Sequence, residues 1–367
     1  MTVFSAADHA HMTRALRLAE AGLYTTQPNP RVGCVIAHGE DVVGEGFHAR
    51  AGEPHAEVFA LRAAGERACG ATAYVTLEPC AHFGRTPPCA DALVAAGVAR
   101  VVAACEDPNP KVAGGGFAKL RDAGIAVEIG LMREAARELN RGFFSRIERG
   151  RPWVRVKLAM SLDGRTALSN GDSKWITGAA ARADVQGWRA RSSAIMTGSG
   201  TVRADDPHLT VRSIPLSPDV VGGEGFKPLR VVLDTGLATP ASAHVLDGTA
   251  PTLVLHAPDA RRAAHFGKVE CAAIPVRDSR IDLPAALTLL AQRGVNELQV
   301  EAGATVCGAL FAQGLVDELL LYVAPLLLGD TARPLLTLPG LDAIAGAWRL
   351  RAIDQRRIGD DWRLLLR

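Results

Sequence analysis

Four residues in the first half of the chain combine types and spacing that could do chemistry together. They are His55 and Glu57 in HAE, Cys80 at the end of LEPC, and Cys89. Zinc suits imidazole and thiolate, and three protein ligands leave the fourth tetrahedral position open to water. Two thiolates and one neutral imidazole roughly balance the charge of the ion, which still lowers the pKa of a bound water. Glu57, two residues past His55, can stand beside such a metal without being a ligand. There it can take a proton from water and deliver it to a ring nitrogen and a leaving amine. The alternative is a closed structural site, for which His82 could supply a fourth ligand.

The second half offers two glycine turns, GSGT (198–201) after a strand-like run and EAGATV (301–306) before a helix-like one. Each could present backbone N–H groups to phosphate. The full dinucleotide fingerprint is absent, and spacing alone does not separate these turns from ordinary strand–helix connections. Cys34, Cys69, Cys105, Cys271 and Cys307 lie in apolar surroundings and read as packing residues.

Layered α/β structure must position these groups. Ser5 and Asp8 suit the start of a helix that continues through Met12, Leu16 and Ala19. Strand-like runs follow at 32–37, 73–77, 100–105 and 125–129, with helical stretches at 55–68 and 89–97 between them. The arginines of RIERGRPW (146–153), with Gly150 and Pro152, interrupt the pattern. A second alternation then begins at WVRVKLAM and continues with strands at 194–198, 229–234, 252–256, 297–303 and 318–325. Residues 213–227, rich in Pro and Gly, read as an exposed loop. The expectation is two unlike α/β domains, residues 1–146 and 151–367.

Composition bounds the function. The chain has 367 residues, 48% hydrophobic and 22% charged, and a net charge of only +2, which gives no electrostatic footprint for nucleic acid or an anionic membrane. No apolar run reaches the roughly 18 residues of a spanning helix. The polar N-terminus argues against an export signal. Seven cysteines, an odd number, suit a reducing cytoplasm.

His55-Ala56-Glu57 and Pro79-Cys80 match the H-x-E…P-C-x-x-C mark of zinc nucleobase deaminases, except that eight residues, AHFGRTPP, separate the cysteines. Pro87-Pro88 still allow Cys89 to open a helix. With TQPNPRVGCVI, GEPHAEVFAL, AYVTLEPCAHFGRTPPC and DPNPKVAGGG, the first half resembles the deaminase domain of the bifunctional riboflavin-biosynthesis deaminase–reductases. VKLAMSLDGRTA, GDSKWIT, TGSGTVRADDPHLTVR and EAGAT extend the resemblance through the reductase half.

The resemblance implies a cytidine-deaminase-like three-layer domain followed by a dihydrofolate-reductase-like domain. It implies zinc-dependent deamination of a phosphoribosylaminopyrimidine, then NADPH-dependent reduction of its ribosyl group to ribityl. On that basis His55, Cys80 and Cys89 hold zinc, Glu57 moves protons, and Asn29, His48, His82, Arg85, Asp107 and Asn109 line the pyrimidine and phosphate site. In the reductase half, Ala159, Trp175, Thr201, Asp205 and the turn of Gly303, Ala304 and Thr305 face the cofactor. Lys157, Ser173, Arg189, Leu209, Arg212 and Glu301 face the substrate, with arginine forks suited to its phosphate. Lys157 and Asp205 are the candidates for assisting reduction. Ala81 and Gly115 depart from residues usual in the family.

The expected partner is therefore a small phosphorylated molecule, not nucleic acid or membrane; assembly with further copies of the chain is left open. Two other readings compete: a nucleic-acid or nucleoside zinc deaminase with an unrelated C-terminal domain, and a non-enzymatic protein with a closed zinc site.

Overall fold

The computed structural model describes residues 4–81, 87–110, 112–212 and 227–367. His82, Arg85 and the expected loop at 213–227, apart from Lys227, lie outside these residues. The chain divides into two compact units, with the boundary between Arg149 and Gly150.

In the first unit, α1 (Ala6–Glu20) starts at the expected capping box: Ser5 Oγ accepts from Asp8 N at 3.1 Å and Asp8 Oδ2 accepts from Ser5 N at 2.8 Å. Strands β1 (Gly33–His38), β2 (Asp41–Phe47), β3 (Thr72–Val75), β4 (Arg100–Ala103) and β5 (Ala126–Ile129) form one sheet in the order β2-β1-β3-β4-β5. The β2-β1-β3 pairings are antiparallel, and β3-β4-β5 run parallel. Alternation along β1 sends Cys34 and Ile36 to a core shared with α2 (Ala56–Ala64), α3 (Cys89–Ala95) and α4 (Gly115–Asp122). Val35 and Ala37 point the other way, toward α1, α5 (Arg133–Leu139) and α6 (Arg141–Arg149). The result is the three-layer α/β arrangement expected. The helix foreseen at 55–68 is shorter: α2 ends at Ala64, where Gly65 turns left-handed (φ 57°) into a 3-10 turn.

The second unit is built on a nine-stranded sheet. Its strands are β6 (Trp153–Ser161), β8 (Ala194–Gly198), β9 (Leu229–Leu233), β10 (Thr252–His256), β11 (Glu270–Ala273), β14 (Glu297–Val300), β15 (Glu318–Ala324), β17 (Ala352–Ile358) and β18 (Asp361–Leu366). Two short ribbons, β7 (Arg165–Ala167) with β16 (Arg333–Pro334) and β12 (Val276–Arg277) with β13 (Arg280–Ile281), lie apart from it.

The sheet order is β11-β10-β9-β8-β14-β6-β15-β18-β17, parallel up to β15 and closed by the antiparallel pair β18-β17. One face packs on α9 (Leu283–Gln292) and α10 (Ala304–Ala312) through Val154, Val156, Met196, Leu298 and Val300. The opposite face meets α7 (Ala179–Ala190) through Leu320 and Tyr322, and Val202 of α8 (Ser199–Asp205) through Ile195. Because β14 inserts between β8 and β6, the loops leaving the carboxyl ends of β8 and β14 are neighbours, the place where open α/β sheets bind ligands.

Candidate active sites

Two element ends deliver the sulfur and nitrogen donors of the first unit. His55 occupies the position just before α2, and Cys89 is the first residue of α3, after Pro88. Cys80 follows the Glu78-Pro79 turn beyond β3, and its Sγ accepts from Cys89 N at 3.3 Å. His55 Nδ1 lies 3.3 Å from Cys89 Sγ and 3.6 Å from Cys80 Sγ, and the three donor atoms all fall within 4.8 Å of one another. Tetrahedral zinc, with bonds of about 2.3 Å to sulfur and about 2.0 Å to nitrogen, requires S···N edges of roughly 3.5 Å. The donor set therefore fits the ion in type and in size. Among the described residues this group has three members, the number that leaves a position open.

The electrostatics of the cluster follow from its packing. Hydrogen bonds accepted from the Cys89 thiol and from His55 hold the Cys80 thiol well below its usual range, while Cys89, holding the shared proton, is pushed up. Glu57 is buried (3% exposed), its Oε2 has no hydrogen-bond partner among the described residues, and desolvation raises its pKa. His48, also buried, accepts from Asn29 Nδ2 at 3.1 Å through Nε2 and donates from Nδ1 to the Pro54 carbonyl at 3.1 Å. Its ring stands edge-on to His55 at 5.3 Å, and burial lowers its pKa. Asn29 and His48 are thus brought to the donor cluster.

Asp107 and Asn109 form a turn in which Asp107 Oδ1 accepts from Asn109 N at 2.8 Å. Glu78, not singled out in the sequence, ties that turn down: its carboxylate accepts from the backbone N–H groups of Asp107, Gly114, Gly116 and Phe117. The only sequence signal for it is its place in LEPC.

In the second unit, Lys157 of β6 and Glu301, just past β14, stand at one level of the sheet, since Val156 and Val300 before them are paired. With Val154, Val156 and Leu158 committed to the α9–α10 core, Lys157 faces the α7 side. Arg189 of α7 grips Glu301 with two 2.7 Å bonds, Nε to Oε1 and Nη2 to Oε2, and its Nη1 donates to the Thr210 carbonyl at 2.9 Å. Although burial pushes Glu301 upward, Arg189 holds it at about 2. Burial lowers Lys157, against the pull of Glu301. Lys157 Nζ sits 5.8 Å from the Tyr322 ring centre, and the Tyr322 hydroxyl donates to Asp184 at 2.5 Å. Tyr322 and Asp184 carry no motif signal and emerge only from the register of β15 against β6.

The other candidates divide. A Cβ on Gly303 would lie 3.8 Å from Thr201 Oγ1, so Thr201 adjoins the turn that opens α10 with Ala304 and Thr305. Ala159 packs beside Tyr322. Leu209 is buried with φ 49°, and Arg212 N donates to Gln186 Oε1 at 2.9 Å, which seats this segment on α7. Trp175 is 68% exposed under the Arg182 guanidinium, 4.5 Å from the ring centre, and Ser173 is half-buried two residues before it. Asp205 is exposed at the end of α8. Arg189, expected to present its fork to phosphate, has that fork engaged by Glu301, whereas Arg212 is exposed.

Residues 152–364 match the family described as RibD C-terminal domain, and residues 5–105 match the cytidine and deoxycytidylate deaminase zinc-binding region. The chain is 50% identical over 359 residues to the riboflavin biosynthesis protein RibD of Escherichia coli (strain K12), covering 96% of this chain and 97% of that protein. The solved structure of Acinetobacter baumannii RibD, form 1, is similar with a TM-score of 0.91 at 47% identity over 98% of both chains. A diaminohydroxyphosphoribosylaminopyrimidine deaminase/5-amino-6-(5-phosphoribosylamino)uracil reductase from Thermotoga maritima is similar with a TM-score of 0.85 at 31% identity, again over 98% of both chains.

Proposed function

Because the chain belongs to the RibD family, bifunctional deaminase–reductases of riboflavin biosynthesis, we propose that its two activities divide between residues 1–146 and 151–367. The first would hydrolyse the exocyclic amine of 2,5-diamino-6-(5-phosphoribosylamino)pyrimidin-4(3H)-one. The second would reduce the ribosyl group of the product to give 5-amino-6-(5-phosphoribitylamino)uracil. The observation that carries the reading is the His55–Cys80–Cys89 cluster with an unpartnered buried oxygen of Glu57 beside it.

His55, Cys80 and Cys89 would hold zinc, which when bound supplies the Lewis acidity that makes water nucleophilic at neutral pH. Glu57, raised by burial, would take one proton of the attacking water to the ring nitrogen and then carry the second to the departing amine, which leaves as ammonia. Asn29 and His48 orient the pyrimidine, helped by Asp107 and Asn109. In the second unit the paired turns at Thr201 and at Gly303, Ala304 and Thr305, with Ala159 and Trp175, would seat NADPH, which supplies the reducing equivalent. Lys157 is the better placed of the two candidate proton donors, because its lowered pKa eases release and Asp205 is exposed. Glu301 steadies positive charge on Lys157 and on an iminium-like sugar carbon, while Arg212 suits the phosphate. All seven cysteines are free thiols, which supports a reducing, cytoplasmic location, and no helix among the described residues is long and apolar enough to cross a membrane.

The test is incubation of the purified protein with the diaminopyrimidine phosphate, with and without NADPH, followed by product masses. Deamination alone is expected without NADPH, and a further gain of two hydrogens with it. Chelation should stop the first step and spare reduction of pre-formed deaminated substrate. Loss of both on chelation, with the far-UV spectrum unchanged, would refute the division of activities.

A further inference from the structure

The carboxylate of Glu78 is 4% exposed and, among the described residues, its hydrogen-bond partners include no cationic side chain; they are four backbone N–H groups, two on each oxygen. Oε2 accepts from Asp107 at 3.2 Å and Gly114 at 3.1 Å, and Oε1 from Gly116 at 3.0 Å and Phe117 at 3.4 Å. The last three donors belong to the start of α4, whose own capping residue, Gly114, has no side chain to offer. Glu78 therefore caps that helix from another part of the chain, where a negative charge also meets the positive end of the helix dipole. The remaining donor is at the other end of the same loop. One side chain thus fastens both ends of the 107–117 segment, and that segment carries Asp107 and Asn109.

A second contact fixes the same relation. A Cβ on Gly116 would overlap the Pro79 carbonyl, so the first turn of α4 lies directly on the backbone that leads into Cys80. Glu78 and Pro79 are the two residues before that cysteine.

We propose that Glu78 is a positioning residue for deamination, holding the 107–117 segment in register with the Cys80 turn so that substrate is bound against the metal centre. The inference rests on the deaminase reading above. Charge type matters here. An amide at this position would aim its NH2 at two backbone donors, so Gln cannot replace Glu, although the two have the same shape.

The experiment uses full-length Glu78→Gln. The KM for the diaminopyrimidine phosphate should rise about tenfold or more with a smaller change in kcat, because binding contacts are displaced while Glu57 is untouched. Zinc stoichiometry and reduction of pre-formed deaminated substrate should match wild type. An unchanged KM overturns the proposal, and loss of zinc overturns it in favour of a role in holding Cys80. If Glu78→Gln fails to fold, Gly116→Ala, whose Cβ would meet the Pro79 carbonyl, pushes the same segment away from the Glu78-Pro79 backbone and should give the same KM-weighted defect; a normal KM there counts against the proposal. Amide exchange gives a readout independent of turnover. Protection at Asp107, Gly114, Gly116 and Phe117 should fall in Glu78→Gln while that of Val101–Ala103 holds, and equal protection in both proteins overturns the clamp. Absence of deamination by wild type would refute the activity reading, and the exchange data would still decide the clamp.

Discussion

Two carboxylates shielded from water, one in each unit, are driven in opposite directions by their surroundings. Glu57 has an oxygen with no partner and is pushed up by burial. Glu301 is largely shielded as well, its side chain 13% exposed, yet the two-pronged grip of Arg189 holds it at about 2. Burial alone does not set the chemistry of a carboxylate; the presence of a compensating cation does. The first can carry a proton between donor and acceptor. The second is a fixed negative charge that stabilises positive charge beside it.

The comparison is broken most severely at Glu57. Glu57→Gln should lower deamination by about 10²–10⁴-fold, with zinc still bound and reduction intact; metal analysis showing empty protein would make Glu57 a ligand. Next in size is Arg189→Ala, which strands Glu301 and should cost about 3–5 kcal/mol, along with reductase activity. All five tryptophans, Trp153, Trp175, Trp188, Trp348 and Trp362, lie in the second unit, so urea unfolding followed by tryptophan fluorescence reads that unit alone. Adding Glu301→Gln should recover part of the stability but not the activity. Wild-type stability in the single variant would mean that Glu301 does not depend on Arg189.

The pH dependence sharpens the same contrast. A fall of the Glu301 pKa from 4.5 to about 2 corresponds to about 3 kcal/mol. That contribution is complete above the unfolded value and is lost as pH falls from about 4.5 toward 2. Fluorescence-detected unfolding of Glu301→Gln should therefore show a shallower acid slope than wild type across this window; equal slopes would place the acid sensitivity elsewhere. The smallest effect touches neither carboxylate: Ser5→Ala should cost about 1 kcal/mol, seen in thermal unfolding by far-UV dichroism, with both activities retained.

The first site was largely legible because its donors sit at element ends, where residue type and short spacing decide geometry. His55 precedes a helix, Cys89 opens one, and the prolines between them mark the turn. The second site is assembled from β6, α7, β14 and β15, so only strand register brings Lys157, Arg189, Glu301 and Tyr322 together. The resemblance supplied Lys157, Arg189 and Glu301, but neither Tyr322 nor the pairing of Arg189 with Glu301.

Among the elements, β2 went unread because DVVGEGF contains Gly44 and Gly46, which weaken any strand signal. Both are needed there: a Cβ on Gly44 would overlap the Ala60 carbonyl, and one on Gly46 would overlap Phe59, so α2 packs directly on the bare backbone of β2. The start of α4 was hidden for a similar reason, since AGGG reads as loop until Glu78 supplies a cap from a distance. β17, AIDQRRI, lacks the apolar alternation of a half-buried strand.

That outermost strand has a consequence for how the molecule behaves in solution. Among the described residues β17 pairs only with β18, and its seven residues are exposed but for Asp354 and Ile358, which are half-buried. A bare strand edge is a template on which further chains can add and precipitate. Here the edge bears Asp354, Arg356 and Arg357, with Asp354 gripped by Arg356 and Arg363 at 2.8 Å. An incoming strand would have to strip water from these ions, a barrier that discourages indiscriminate stacking while leaving a partner of matching charge free to pair.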